Sequence, residues 1–242
     1  MKKNHYLTFL FSMAFSLLNE LSAQSFNITK HNLSNFHADA GATHFAEAAN
    51  GDIWVLQEGV FTSDEDHVLK YDGSAWAEIA FDVCENCAFD IVNSPDGTIY
   101  LGTSSGVFTW AGNDWEQASD KAVAPGADMA FDDNGTLWFK EAGASLTLTS
   151  LTAAGTASTH SPVSGNFFRI TVAPDGKVWY IMAGGDVFSY DGVEVKAYTG
   201  ITSPIFVQAT ADNKIWVADA FGGLHLIENG TLSLYALTGV IN

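Results

Sequence analysis

The chain is 242 residues long, 47% hydrophobic and 16% charged, enough apolar material for one well-buried domain. Its formal net charge of −18 at pH 7 repels polyanions at long range, which argues against nucleic acid or an anionic membrane as partner. The same charge suits cations, neutral ligands such as glycans and small molecules, or basic protein partners, and it also serves solubility.

Residues 1–23 read as a signal peptide. Lys2 and Lys3 make a short basic start, Leu7 to Leu18 is an apolar stretch, and Leu21-Ser22-Ala23 supplies the small-x-small cleavage pattern. Cleavage before Gln24 would leave an exported chain, periplasmic or extracellular. No later segment is long and apolar enough to span a bilayer, so no integral membrane segment is expected in the mature protein. Residues 24–41 form a leading segment in which Ser25-Phe26-Asn27-Ile28-Thr29 reads as an extra outer strand.

From residue 42 to 242 a tight turn runs into an aromatic strand five times: Asn50-Gly51-Asp52-Ile53-Trp54, Asp96-Gly97-Thr98-Ile99-Tyr100, Asn134-Gly135-Thr136-Leu137-Trp138, Asp175-Gly176-Lys177-Val178-Trp179 and Asp212-Asn213-Lys214-Ile215-Trp216. The turns recur 37 to 46 residues apart. In a strand-rich chain that period means one four-stranded sheet per repeat, arranged radially. The fold class is therefore all-β, a β-propeller of about five four-stranded blades. The alternative is the front part of a six- or seven-bladed propeller, since the chain stops where a further blade would begin. Second turns at Asp72-Gly73, Gly112-Asn113, Asp191-Gly192 and Asn229-Gly230 close the outer hairpins. The third unit, with Ala154-Gly155, is the most degenerate. The first unit carries an insertion that includes the polar loop Ser63-Asp64-Glu65-Asp66-His67.

Alignment on the turns yields two columns in the strand before each turn. Six residues before the turn stand Phe45, Ile91, Met129, Ile170 and Val207, all apolar, as packing between neighbouring blades requires. One residue earlier stand His44, Asp90, Asp128, Arg169 and Phe206. Unpaired charge is costly to bury, so this column is expected to face water at the mouth of the central channel. His44, Asp90, Asp128 and Arg169 are the candidate ligand-binding residues, with the Asp64–Asp66 loop overhanging them. Pairing of Arg169 with Asp90 or Asp128, with no ligand at all, is the structural alternative.

Cys84-Glu85-Asn86-Cys87 is expected to form a small local disulfide in an exported chain. A zinc site there would need further ligands, for which His67 or His44 are the candidates. His31 and His37 precede the first repeat, His160 lies in a Ser/Thr-rich connector, and His225 alternates with Leu224 and Leu226 at a position expected to face solvent. The recurring Trp54, Trp138, Trp179 and Trp216 read as blade core. No sequence motif demands a cofactor, although the acidic loop or ring could take a divalent cation such as calcium or magnesium.

Ile99-Tyr100-Leu101-Gly102-Thr103-Ser104-Ser105-Gly106-Val107-Phe108, and Ile215-Trp216-Val217-Ala218 with Gly222-Gly223-Leu224, resemble the repeat of the two-component-regulator propeller family, over roughly residues 42 to 235. That resemblance implies the propeller fold, and members often form the periplasmic sensor part of membrane receptors. Asn134-Gly135-Thr136-Leu137-Trp138-Phe139-Lys140-Glu141 resembles the repeat of streptogramin B lyase, a propeller enzyme using a histidine and acidic residues near magnesium. No local motif around any histidine here matches the lyase, so no catalytic residue carries over. The expected function is that of a binding module; the alternatives are a lyase-like or glycan-active enzyme and a structural scaffold at the cell surface.

Overall fold

The computed structural model describes residues 40–59, 66–81, 87–143 and 147–235. Residues 1–39, which hold the expected signal peptide and extra outer strand, lie outside the described residues. Among the described residues every regular element is a strand. No helix there is long and apolar enough to cross a membrane.

Five four-stranded antiparallel sheets follow one another along the chain. The first contains β1 (Ala40–Glu47), β2 (Ile53–Gly59), β3 (His67–Tyr71) and β4 (Trp76–Ile79). The second contains β5 (Ala88–Asn93), β6 (Ile99–Thr103), β7 (Gly106–Trp110) and β8 (Trp115–Ser119). The third contains β9 (Met129–Phe131), β10 (Leu137–Lys140), β11 (Thr147–Leu151) and β12 (Ala157–Ser164). The fourth contains β13 (Phe167–Val172), β14 (Val178–Met182), β15 (Val187–Tyr190) and β16 (Val195–Tyr198). The fifth contains β17 (Pro204–Ala209), β18 (Ile215–Asp219), β19 (Leu224–Glu228) and β20 (Thr231–Tyr235). Each sheet is a meander in sequence order, and the first strands of successive sheets touch in series, β1 to β5, β5 to β9, β9 to β13 and β13 to β17. This is the radial arrangement of a β-propeller, as the repeat spacing predicts.

The turn after each first strand explains the repeat motif. Gly51, Gly97, Gly135, Gly176 and Asn213 have φ of 84°, 82°, 78°, 81° and 59°, the left-handed region open to glycine and tolerated by asparagine. Each donates its N–H three residues back, to Ala48, Ser94, Asp132, Ala173 and Thr210, which places the next residues at the start of the aromatic strand. Even the degenerate third unit keeps its outer turn, with Gly155 at φ 79°.

The core consists of layers between blades. Trp54, Leu56 and Val68 of the first blade meet Ile91, Leu101 and Phe108 of the second. Val107 of the second meets Met129, Leu137 and Phe139 of the third. Leu148 of the third meets Phe167, Ile170 and Tyr180 of the fourth, and Trp179 and Ile181 of the fourth meet Val207, Ile215 and Val217 of the fifth. Burial of each such side chain contributes about 1.5–3 kcal/mol. Ile91, Met129, Ile170 and Val207 are 1–5% exposed. Their column mate Phe45, in the first blade, differs at 39% exposed. Trp54 and Trp179 are buried, whereas Trp138 and Trp216 are half-buried.

Two histidines depart from the sequence reading. His160 lies on β12, not in a connector, and sits between blades. Its Nε2 is 2.9 Å from Ser150 Oγ, its Nδ1 is 3.2 Å from the Tyr190 hydroxyl, and its ring packs on Trp138 at 4.7 Å. Tyr190 donates its hydroxyl proton to Gly192 O, so it accepts from Nδ1–H, and Nε2 accepts the Ser150 proton. His225 is 9% exposed rather than solvent-facing. Asp219, at the end of β18, turns a carboxylate oxygen to within 3.0 Å of its Nε2.

Candidate functional site

The four candidate ligand-binding residues come from four successive blades and meet. Arg169 Nη1 lies 2.7 Å from Asp128 Oδ1. His44 Nε2 lies 3.8 Å from the same Asp128 oxygen and 3.7 Å from Asp90 Oδ1. The order His44, Asp90, Asp128, Arg169 follows the blade order, so each interface between neighbouring first strands contributes to the cluster. Phe206, the fifth member of the column, brings no charge.

A backbone irregularity underlies this convergence. The pairing of the first two strands shifts by one residue between Ala42 and His44, Ala88 and Asp90, Phe168 and Ile170, and Pro204 and Phe206. Such β-bulges turn a side chain away from its regular pleat direction. In the fourth blade the unpaired residue is Arg169 itself, at φ 54°, a left-handed conformation that a non-glycine residue adopts at a cost of about 1–2 kcal/mol.

The exposure of the four residues is unequal. The His44 and Asp128 side chains are 20% and 19% exposed and that of Arg169 is 41% exposed. Asp90 is the correction to the expectation of a water-facing column, being only 3% exposed. Its Oδ2 accepts the backbone N–H of Met129, across the blade boundary, at 2.5 Å, which is how a carboxylate can occupy an interior position. Burial pushes its pKa up, opposed by the charge of His44 and reinforced by that of Asp128, to about 7. The arrangement therefore has a dry floor at Asp90 and a wetter rim at Asp128 and Arg169. Chemically, it offers a guanidinium donor, carboxylate acceptors and an imidazole that can do either.

His44, Asp90 and Asp128 each present one ligand-type atom, all within 4.8 Å of one another. The alternative cation loop is only partly described: Asp64 and Glu65 lie outside the described residues, while Asp66 Oδ2 accepts the N–H of Ala88. His67 Nδ1 lies 2.7 Å from Glu78 Oε1. Cys87 is disulfide-bonded, and Cys84 lies outside the described residues.

Sequence reasoning did not single out Lys140, the last residue of β10. It is 3% exposed, its Nζ donates to Asn166 Oδ1 at 3.3 Å and lies 5.7 Å from the Phe167 ring centre, and burial lowers its pKa. A lysine closing an otherwise apolar Leu137-Trp138-Phe139 strand was the available signal.

No protein-family model matches the chain, and no curated protein matches it. Solved structures do share its fold. A streptogramin B lyase is similar with a TM-score of 0.63 and 18% identity, over 85% of this chain and 72% of the lyase. The extracellular domain of a putative hybrid two component system from B. thetaiotaomicron is similar with a TM-score of 0.61 and 14% identity, over 85% of this chain and 29% of that one. Regucalcin, a calcium-binding protein from Agrobacterium tumefaciens str. C58, is similar with a TM-score of 0.59 and 15% identity, over 81% of this chain and 72% of that one. At these identities the likeness is one of fold, and both resemblances drawn from the repeats point to the same architecture.

Proposed function

We propose that this protein is an exported binding module that captures a neutral, polyhydroxylated small molecule or glycan at the His44, Asp90, Asp128 and Arg169 cluster. The observation that carries the reading is the convergence of these four side chains from four consecutive blades. One fold hosts many functions, so the reading rests on the cluster and not on the names of similar structures. Asp128 and His44 can accept from ligand hydroxyls and Arg169 can donate to them, while the acidic chain repels polyanions. Export follows from the leader pattern of residues 1–23. A glycan and metabolite screen on the mature protein tests the reading. Capture of one such ligand, lost in the Asp128→Asn variant with an unchanged melting temperature, supports it. Capture that survives both Asp128→Asn and Arg169→Ala would place the ligand elsewhere and overturn it.

A further inference from the structure

We infer that His44, Asp90 and Asp128 form a binding site for one divalent transition-metal ion of the zinc type. The inference deepens the binding reading, on which it rests only for what fills the ion's outward coordination position.

The state of His44 is the starting point. The Thr43 hydroxyl donates to Leu56 O at 3.3 Å, so its oxygen is left to accept from His44 Nδ1, 3.1 Å away. That bond places a proton on Nδ1; in the neutral ring, the form that binds a metal ion, the lone pair is then on Nε2. Nε2 then faces two carboxylate oxygens, Asp90 Oδ1 at 3.7 Å and Asp128 Oδ1 at 3.8 Å. With the ring neutral and both carboxylates ionised, a cation among the three atoms is favoured; Arg169, 2.7 Å from Asp128 Oδ1, supplies part of that positive charge from one side. The two separations from Nε2 are too long for hydrogen bonds. All three atoms lie within 4.8 Å of one another, so the groups must draw together to make the bonds of about 2.0–2.2 Å to nitrogen and oxygen of a tetrahedral ion.

The surroundings have the features that hold metal ligands in place. A ligating histidine commonly donates its other N–H to a nearby acceptor, which fixes ring orientation; Thr43 does this for His44. Asp90 is fixed by the Met129 N–H on its other oxygen, and Asp128 by Arg169 on the same oxygen that faces His44. With Asp90 buried and the other two ligands about one-fifth exposed, the fourth position opens outward, where a ligand hydroxyl or water can bind. Arg169 offsets part of the carboxylate charge and disfavours a site of very high affinity.

The donor set selects the ion. Calcium takes six to eight oxygen ligands and magnesium favours octahedral oxygen coordination, whereas one imidazole and two carboxylates in a compact triangle suit zinc and its neighbours. This departs from the calcium or magnesium that the acidic residues alone could take.

The test is calorimetric titration of ZnCl2 into the untagged full chain after chelator dialysis, with CoCl2 absorption as a spectroscopic readout. One zinc per chain is expected, with a rise in melting temperature and a visible cobalt band. His44→Ala and Asp128→Asn should each weaken zinc binding at least tenfold and abolish the cobalt band, while the control Asp133→Asn, in the exposed turn that follows β9, leaves both unchanged. If Asp128→Asn does not fold, His44→Gln serves as the second variant. No saturable binding, or unchanged affinity in the His44 variants, overturns the site; displacement of zinc by equimolar calcium overturns the choice of ion. Glycan capture by chelator-treated protein that binds no zinc would sink the metal and leave the binding module standing. Zinc binding without any glycan capture would support the metal and remove the reading of the module.

Discussion

The carboxylate of Asp90, in the second blade, accepts the backbone N–H of Met129, in the third, at 2.5 Å. One of the four converging residues is therefore also a tie between blades, and the chemistry of the cluster cannot be altered at this position without touching the fold.

Replacement of Asp90 by alanine leaves the buried Met129 N–H without its acceptor, which costs about 1–3 kcal/mol. Asp128→Asn, at a side chain about one-fifth exposed that keeps an oxygen for Arg169, should cost less, about 1 kcal/mol. Urea unfolding of the two variants measures the difference, and equal losses would show that Asp90 carries no special tie.

Arg169→Gly separates binding from stability. Glycine removes the guanidinium and relaxes the left-handed backbone, while its greater freedom in the unfolded chain offsets that gain by about 0.5–1 kcal/mol. Ligand capture should fall at least tenfold with the unfolding free energy within about 1 kcal/mol of the parent. A large loss of stability would contradict the backbone assignment.

Acid should loosen the boundary between the third and fourth blades. Burial lowers the His160 pKa, so the unfolded chain binds its proton more readily than the folded one. Stability is then full above the ordinary imidazole value of about 6.5 and is lost as pH falls through it. Protonation at Nε2 would also turn away the Ser150 hydroxyl. Melting temperatures between pH 8 and pH 5 should fall in the parent and fall less steeply in His160→Gln; parallel slopes would clear His160 of this role.

Two glycines at equivalent turn positions should respond differently to alanine. Gly51 has open space where a Cβ would stand, whereas at Gly97 a Cβ would lie 2.4 Å from the backbone nitrogen of Ala49. Gly51→Ala should cost only the left-handed strain of about 1–2 kcal/mol. Gly97→Ala should cost clearly more, because it pushes the second blade off the first. Thermal unfolding of the pair reads this directly.

Much of the fold was legible because the requirement is local and repeated. Five turns each need a residue that accepts positive φ, and each is followed by the same short run of an aliphatic residue, an aromatic residue and a further apolar residue. The membership of the cluster was legible for the same reason, since position relative to a turn translates into position along the first strand. The burial of Asp90 was not, because its acceptor role depends on a backbone N–H 39 residues away in the next blade. Neither was the bulge at Arg169, which has no glycine or proline to mark it. His160 was misplaced because its unit is the most degenerate and its Ser/Thr-rich outer strand, with no aromatic residue, looks like a connector. His225 looked solvent-facing by alternation, and only the return of Asp219 reveals that its ring is enclosed.

The cluster draws on the first four blades and takes nothing charged from the fifth. Fraying from the two ends of the chain is thus unequal in effect: a transient departure of β17–β20 leaves all four groups in place, while a departure of β1–β4 withdraws His44 and strands two carboxylates beside a single guanidinium. Whatever is held at the cluster should accordingly clamp the first blade far more firmly than the last, and amide exchange in the presence of a captured ligand should slow at the N-terminal sheet before any other.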